Sequence, residues 1–434
     1  MTPRPVLAAA VCAALTFSLS SCGLKGGQMS EGPFLRFLEK RSGLVAFVAS
    51  DGNVHVIDQA GRGNRALTDD AGSQAGTKVS YSALTWSPDG RQIAFTRLEV
   101  ASGDLTDSSL YAAHARGGGS LLLFATDRIQ PFYLSWSPDS RRISVLSQLK
   151  GEADLELGVC PAGVQEQYTA VDRGAPYYWD WLSDSSSIAA HVRGGSSGER
   201  LTLITLNPAL RKTDIPVPAS LFQAPNVTPD GRSIVYVTRD ASGFTIRLRA
   251  LDGSTERTLA TGTGVPYFSL SRDGKRLAYL DALSVRPVPQ GAITIVSTDG
   301  SAPAVKLTDA PVLAFFWAPD GRKLVFVMPD ISGTPDPMFQ NSSEQLNVKL
   351  MGCDVVTGRT WFISRFPTTA GLLSILPFFD QYQRSSTIWS PDSRYIVFSA
   401  FSRKGVPAVY VVRSDGRLRP RFLADGDSPF WSWK

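Results

Sequence analysis

Trp86-Ser87-Pro88-Asp89-Gly90, running on to Ile93-Ala94-Phe95, reads as the end of one strand, a tight turn and a second strand. Proline sets φ for the second turn position, aspartate bonds back to nearby amides, and glycine supplies a positive φ. The apolar run after the turn is the pattern of a strand buried on both faces. The same unit returns at Trp136-Ser137-Pro138-Asp139-Ser140 before Ile143, at Trp317 to Leu324 and at Trp389 to Ile396. Weaker copies run from Trp181 to Ile188, Val227 to Ile234 and Leu270 to Leu277. The turn aspartates, at positions 89, 139, 184, 230, 273, 320 and 392, are spaced by 50, 45, 46, 43, 47 and 72 residues. A period in the forties leaves room for four short strands per unit.

Between copies lie a third strand, such as Phe244 to Leu251 or Ala408 to Val412, a DG or GG turn and a polar fourth strand such as Arg257-Thr258-Leu259. The whole pattern resembles the TolB-like, or PD40, propeller repeat over nearly all of residues 42–434. That resemblance implies an all-β chain folded as a single β-propeller. It implies little about activity, because such blades also occur in prolyl oligopeptidase-type enzymes and in many exported proteins.

The two ends of the array complete one another. Leu44-Val45-Ala46-Phe47-Val48 looks like a second strand without its first, and Ser428-Pro429-Phe430-Trp431-Ser432-Trp433 like a first strand without its second. The expectation is eight four-stranded blades, with the C-terminal strand closing the first blade and joining the ends without a covalent bond. The 72-residue interval is read as insertions in one blade, since two blades need about 90 residues.

Residues 1–21 read as a signal peptide: Arg4 provides the basic n-region, Val6 to Leu19 the apolar stretch. Leu19-Ser20-Ser21-Cys22 resembles the bacterial lipobox, which implies acylation of Cys22 and cleavage before it. Two or three acyl chains anchor a protein stably, at about 0.8 kcal/mol for each buried CH₂. The expected place is the cell membrane or outer membrane, facing periplasm or exterior. Residues 22–41 then form a tether that spans at most about 70 Å.

Composition narrows the partners. A net charge of +5, with 19% charged residues and no block of one sign, argues against nucleic acid. Of four cysteines, Cys160 and Cys353 remain after Cys12 and Cys22, and they read as buried thiols. His55, His114 and His191 are isolated, so no metal-ligand spacing and no cofactor is expected.

Loop lengths distinguish the two faces. Loops joining strands one to two and three to four are short, and both chain ends adjoin that plain face. The opposite face holds the insertions at 99–109, 193–200, 282–291, 329–344 and 367–385. Within the last, Leu372, Leu373, Ile375, Leu376, Phe378, Phe379 and Tyr382 form an apolar stretch. It either recruits a partner as an exposed patch or folds inward to cap the blade or plug the channel.

Gly194-Gly195-Ser196-Ser197-Gly198 matches the GxSxG pattern, but it sits between two strands of one blade rather than on a strand-to-helix elbow. Asp180, Asp184, Asp330 and Asp336 lie near loops with no spacing that specifies a site. The reading is therefore a non-enzymatic protein- or peptide-binding scaffold in the cell envelope. The alternatives are a glycan-binding or glycan-cleaving propeller, which carboxylates converging at the axial mouth would favour, and a structural subunit of a larger envelope complex.

Overall fold

The computed structural model describes residues 39–434 apart from 75, 194–197, 333–335 and 340–344. The signal segment, Cys22, most of the tether and the core of the GxSxG stretch lie outside the described residues. The described strands build one all-β propeller, each sheet antiparallel and running outward from the axis. In one sheet, Ile129–Trp136, Arg142–Leu149, Leu155–Pro161 and Thr169–Gly174 follow each other from axis to rim. The second strand is buried on both faces, as Ile143, Ser144 and Val145 show, whereas outer strands such as Arg211–Asp214 are exposed throughout. No helix among the described residues is long and apolar enough to cross a membrane.

Among the described residues seven sheets are present, not the eight blades expected from the repeat count: five of four strands, one of five and one of six. The reduction comes from Arg421–Trp431, an unbroken strand of 11 residues. Its first half pairs with Pro407–Arg413 (Ala408 opposite Asp425), and its second half with Val45–Ala49 (Val45 opposite Trp431). The first and last repeats of the chain are thereby fused into one six-stranded sheet. The ends are fastened further by Leu44 N–H to Ser432 Oγ (3.0 Å) and Ser432 N–H to Leu44 O (2.7 Å). Gly43 is required there: its φ is +77°, and a Cβ would lie 2.6 Å from Ser432 Oγ.

The insertion at 99–109 is regular structure rather than loop. Gln92–Ala101 and Asp104–His114 extend as one long hairpin around Ser102 and Gly103, both at positive φ.

Indole N–H groups link the units around the axis. Trp86 donates to Phe430 O (3.0 Å), Trp136 to Thr85 O (3.2 Å), Trp317 to Ser269 O (3.0 Å) and Trp389 to Phe316 O (3.1 Å). Where the repeat has lost its tryptophan, a side-chain oxygen from the preceding unit replaces the link. Asp180 accepts from Val227 N–H (2.9 Å) and Asn226 from Leu270 N–H (2.8 Å).

The turns form a second set of links. Ser87 and Ser137 hydroxyls each donate to the turn aspartate at 2.6 Å, closing the loop internally. Ser140, Ser185 and Ser393 occupy the glycine position at φ of 61°, 57° and 57°. Their hydroxyls accept the amides of Asp89, Asp139 and Asp320 at 3.1, 3.0 and 3.1 Å, so each accepts a strained backbone in exchange for a bond to the neighbouring turn. Ser140→Ala, which keeps the strain and loses the bond, is expected to cost about 1 kcal/mol. Ser140→Gly is expected to be close to neutral, because relief of about 1 kcal/mol of left-handed strain offsets the loss. Urea midpoints of the two variants check this.

Candidate functional site: a plugged axial channel

The insertion between Thr360–Pro367 and Tyr395–Phe401 enters the channel from the decorated face. Thr369 caps a short helix, α1 (Ala370–Ile375), and its hydroxyl also donates to Asp427 (2.8 Å). A 3-10 turn, Leu376–Phe378, with Pro377 near its start, leads into a second helix, α2 (Phe379–Ser385). This second helix packs among the inner strands Ile129–Trp136, Tyr177–Trp181, Val265–Leu270 and Ala314–Trp317. The inner strands leave backbone N–H and C=O groups facing the channel, and such groups need partners when buried.

Two glutamines supply them. Trp179 N–H donates to Gln381 Oε1 (3.2 Å), and Gln381 Nε2 donates to Trp179 O (2.9 Å). On another wall, Trp317 N–H donates to Gln383 Oε1 and Gln383 Nε2 to Phe315 O, both at 3.4 Å. The Tyr133 hydroxyl donates to Gln381 O (2.8 Å), and Thr85 to Ser385 O (2.7 Å). Phe379 is fully buried, with ring centroids 4.9 Å from Phe315 and 5.9 Å from Tyr267. Tyr382 packs edge-on against Tyr133 at 5.1 Å.

Burial divides the seven residues named from the sequence as a partner-binding patch. Ile375, Leu376 and Phe379 are buried, and Leu372 and Tyr382 are half-buried against the core. Only Leu373 (36%) and Phe378 (46%) are exposed. The stretch is a plug, and a continuous exposed patch is ruled out because most of its apolar surface is spent inside the channel. Gln381, Gln383 and Arg384, which do the polar work of the plug, carry no signal of their own in a sequence reading that follows apolar residues.

Beyond the plug, toward the plain face, the channel widens into a blind vestibule of about 370 Å³. Gln383 to Thr387 form its floor, the indoles of Trp86, Trp136, Trp181 and Trp317 its wall, and the turn prolines its rim. Since the indole N–H groups are committed to neighbouring units, the wall offers apolar ring surface rather than donors. Asp180 is the one carboxylate in the lining; it is ion-paired with Arg384 and also holds Val227 N–H. At the mouth Arg272 stands 4.9 Å over the Trp433 ring, and among the described residues no carboxylate pairs with it.

The other acidic residues singled out from the sequence do not converge. Asp184 accepts from the amides of Ser186 (2.8 Å) and Ser187 (2.9 Å) in its own turn. Asp336 accepts from Met338 N–H (2.9 Å). Asp330 is 3.1 Å from Lys349; burial opposes its ionisation, but Ser332 and Lys349 outweigh that and hold the carboxyl below the usual range. Among the described residues no group of three or more His, Cys, Asp or Glu side chains stands together as a metal site. Cys160 and Cys353 are buried, unpaired thiols, each pushed up to about 12 by burial.

Asp380 is different. It is buried in the plug, and desolvation raises its carboxyl from 3.8 to about 7 against the lowering effect of backbone N–H groups of Gln381 and Ala224. The titratable groups acting on it are Tyr178 and Tyr267, not cations. The folded state therefore retains a proton that the unfolded chain has lost, and stability is expected to fall as pH rises from about 4 to about 7. Asp380→Asn should flatten that part of the profile, read from urea midpoints across the same range.

No family model matches the chain, and no curated protein matches it. Solved structures of similar fold do exist. Dihydro-heme d1 dehydrogenase NirN is 14% identical over 94% of this chain and 78% of its own, with a TM-score of 0.54. Oligogalacturonate lyase in complex with manganese is 16% identical, covering 89% of this chain and 98% of its own, with a TM-score of 0.50. TolB from Acinetobacter baumannii is 15% identical over 82% and 83%, with a TM-score of 0.38.

The protein is thus a single β-propeller with a plugged axis. Its turn motifs and antiparallel blades are consistent with repeats of the TolB-like, PD40 kind. The expectation of a non-enzymatic chain is corrected by the same comparison. A dehydrogenase and a lyase share this fold, so the propeller does not exclude catalysis.

Proposed function

We propose that the chain is a binding platform of the bacterial cell envelope, tethered by lipid on Cys22, whose vestibule receives a segment of a partner protein. The observation that carries this is the plug, which turns an open channel into a blind recess with aromatic walls and, at its mouth, Arg272, which pairs with no carboxylate among the described residues. A volume of this size suits a few residues of peptide. Aromatic surface with a cation at the rim favours a segment that carries an apolar side chain and a carboxylate. The lipobox supports the anchor, and the TolB-like repeat supports an envelope setting.

Crosslinking pull-down from intact membranes tests the reading. Arg272→Glu, with the fold checked by circular dichroism, is expected to reduce a specific co-purifying protein at least ten-fold, and Leu373→Ser/Phe378→Ser to leave it in place. The reverse result would move the docking site to the decorated face, and loss in neither variant would sink both.

A further inference from the structure

A second recess, of about 780 Å³, opens on the plain face where residues 41–44 meet residues 432–434. Its lining brings together Arg41, Arg65, Arg91, Arg116 and Lys434. Among the described residues, Asp89 is the one acidic side chain of the lining that stands against these five cations. Asp89 is largely occupied: one oxygen accepts from Ser87 Oγ (2.6 Å) and Arg91 N–H (3.0 Å), and the other is 3.8 Å from Arg91. Among the described residues no carboxylate lies within ion-pair distance of the side chains of Arg41, Arg65, Arg116 or Lys434. Arg65 donates to Ala115 O, while its buried Nε has no partner.

Such a concentration of like charge attracts anions, an effect that salt screens. Arg41, Arg91, Arg116 and Lys434 are exposed, so the charge is presented outward on long side chains rather than enclosed around a small ligand. Arg41 also follows directly on Glu39 and Lys40, the first described residues, which are bonded to Arg421 and Gln59 of the propeller. We propose that this cleft, which lies off the axis toward Arg65 and Arg116, binds the phosphate groups of anionic lipid headgroups and holds that edge of the ring at the membrane to which the tether runs, leaving the vestibule mouth open. The inference rests on the lipid-anchor reading.

The test uses the full mature chain carrying Cys22→Ser, which has no acyl chain, so that vesicle binding reports the cleft alone. Co-sedimentation is expected with vesicles containing phosphatidylglycerol and not with phosphatidylcholine alone. Arg41→Gln and Arg116→Gln are each expected to lower the partition about five-fold, the effect of one basic residue near an anionic surface. Arg128→Gln, exposed between Ser120–Thr126 and Ile129–Trp136 on the decorated face, is the control and should leave it unchanged. Equal binding to both vesicle types, or an equal effect of all three substitutions, would overturn the proposal. Displacement of the protein from vesicles by inorganic phosphate, without displacement by chloride at matched ionic strength, would reassign the cleft to a soluble phosphate. The mass of the membrane-extracted wild-type protein reports acylation of Cys22 separately, so failure of the anchor and failure of the cleft are distinguishable.

Discussion

Removal of residues 428–434 is expected to abolish cooperative folding of the entire propeller rather than fray one edge. Trp431 is fully buried and pairs with Val45 on one side, while its N–H donates to Thr387 O (2.8 Å) on the other. Phe430 O accepts the Trp86 indole, so the same short segment also holds the next unit. Its loss would leave Val45–Ala49 with an unpaired edge and open the ring at one point. Truncating one buried aromatic costs about 3–5 kcal/mol. Losing Trp431 and Phe430 together therefore approaches the 5–15 kcal/mol that hold a typical domain. Thermal melting by circular dichroism checks this, with Trp431→Ala as the milder companion, expected to remain folded with a clearly lowered midpoint. A truncated chain that melts within a few degrees of wild type would show that closure is not what holds the ring.

The second large effect is expected at the plug. Phe379→Ala removes a fully buried ring from among Phe315, Phe316 and Tyr267, at about 3–5 kcal/mol. Gln381→Ala adds about 1–3 kcal/mol, because Trp179 N–H and C=O lose their partner inside the channel. The double variant is expected to lose more stability than the sum of two surface changes, yet the indole and turn links between units do not pass through these residues. Urea denaturation should thus show a lower midpoint with a single transition. An unchanged midpoint would mean that the helix rests in the channel without bearing on it.

The blades were legible in the sequence because their determinants are local. Ser87, Pro88, Asp89 and Gly90 close a turn with bonds that span at most five residues, and Ile93 to Phe95 is apolar whatever lies around it. Closure was legible too, since a second strand without a first at Leu44 and a first strand without a second at Phe430 need each other. The blade count was not. Whether Arg421–Trp431 breaks between two sheets or stays paired through both, across the register shift beside Ser428, depends on the geometry at the join, which residue types do not specify.

The apolar stretch from Leu372 to Tyr382 reads the same facing solvent or facing the axis. Its burial was decided by an empty channel wide enough for a helix and by the unpaired backbone at Trp179 and Phe315. The basic cleft depended on tertiary structure entirely. Arg41, Arg65, Arg91, Arg116 and Lys434 are scattered along the chain in a composition with only a small positive excess, and ring closure is what brings them to one surface. Local hydrogen bonding and periodicity are written in neighbouring residues and can be read from them. Burial and the summed charge of a surface belong to residues far apart in the chain, and exist only once the ring has closed.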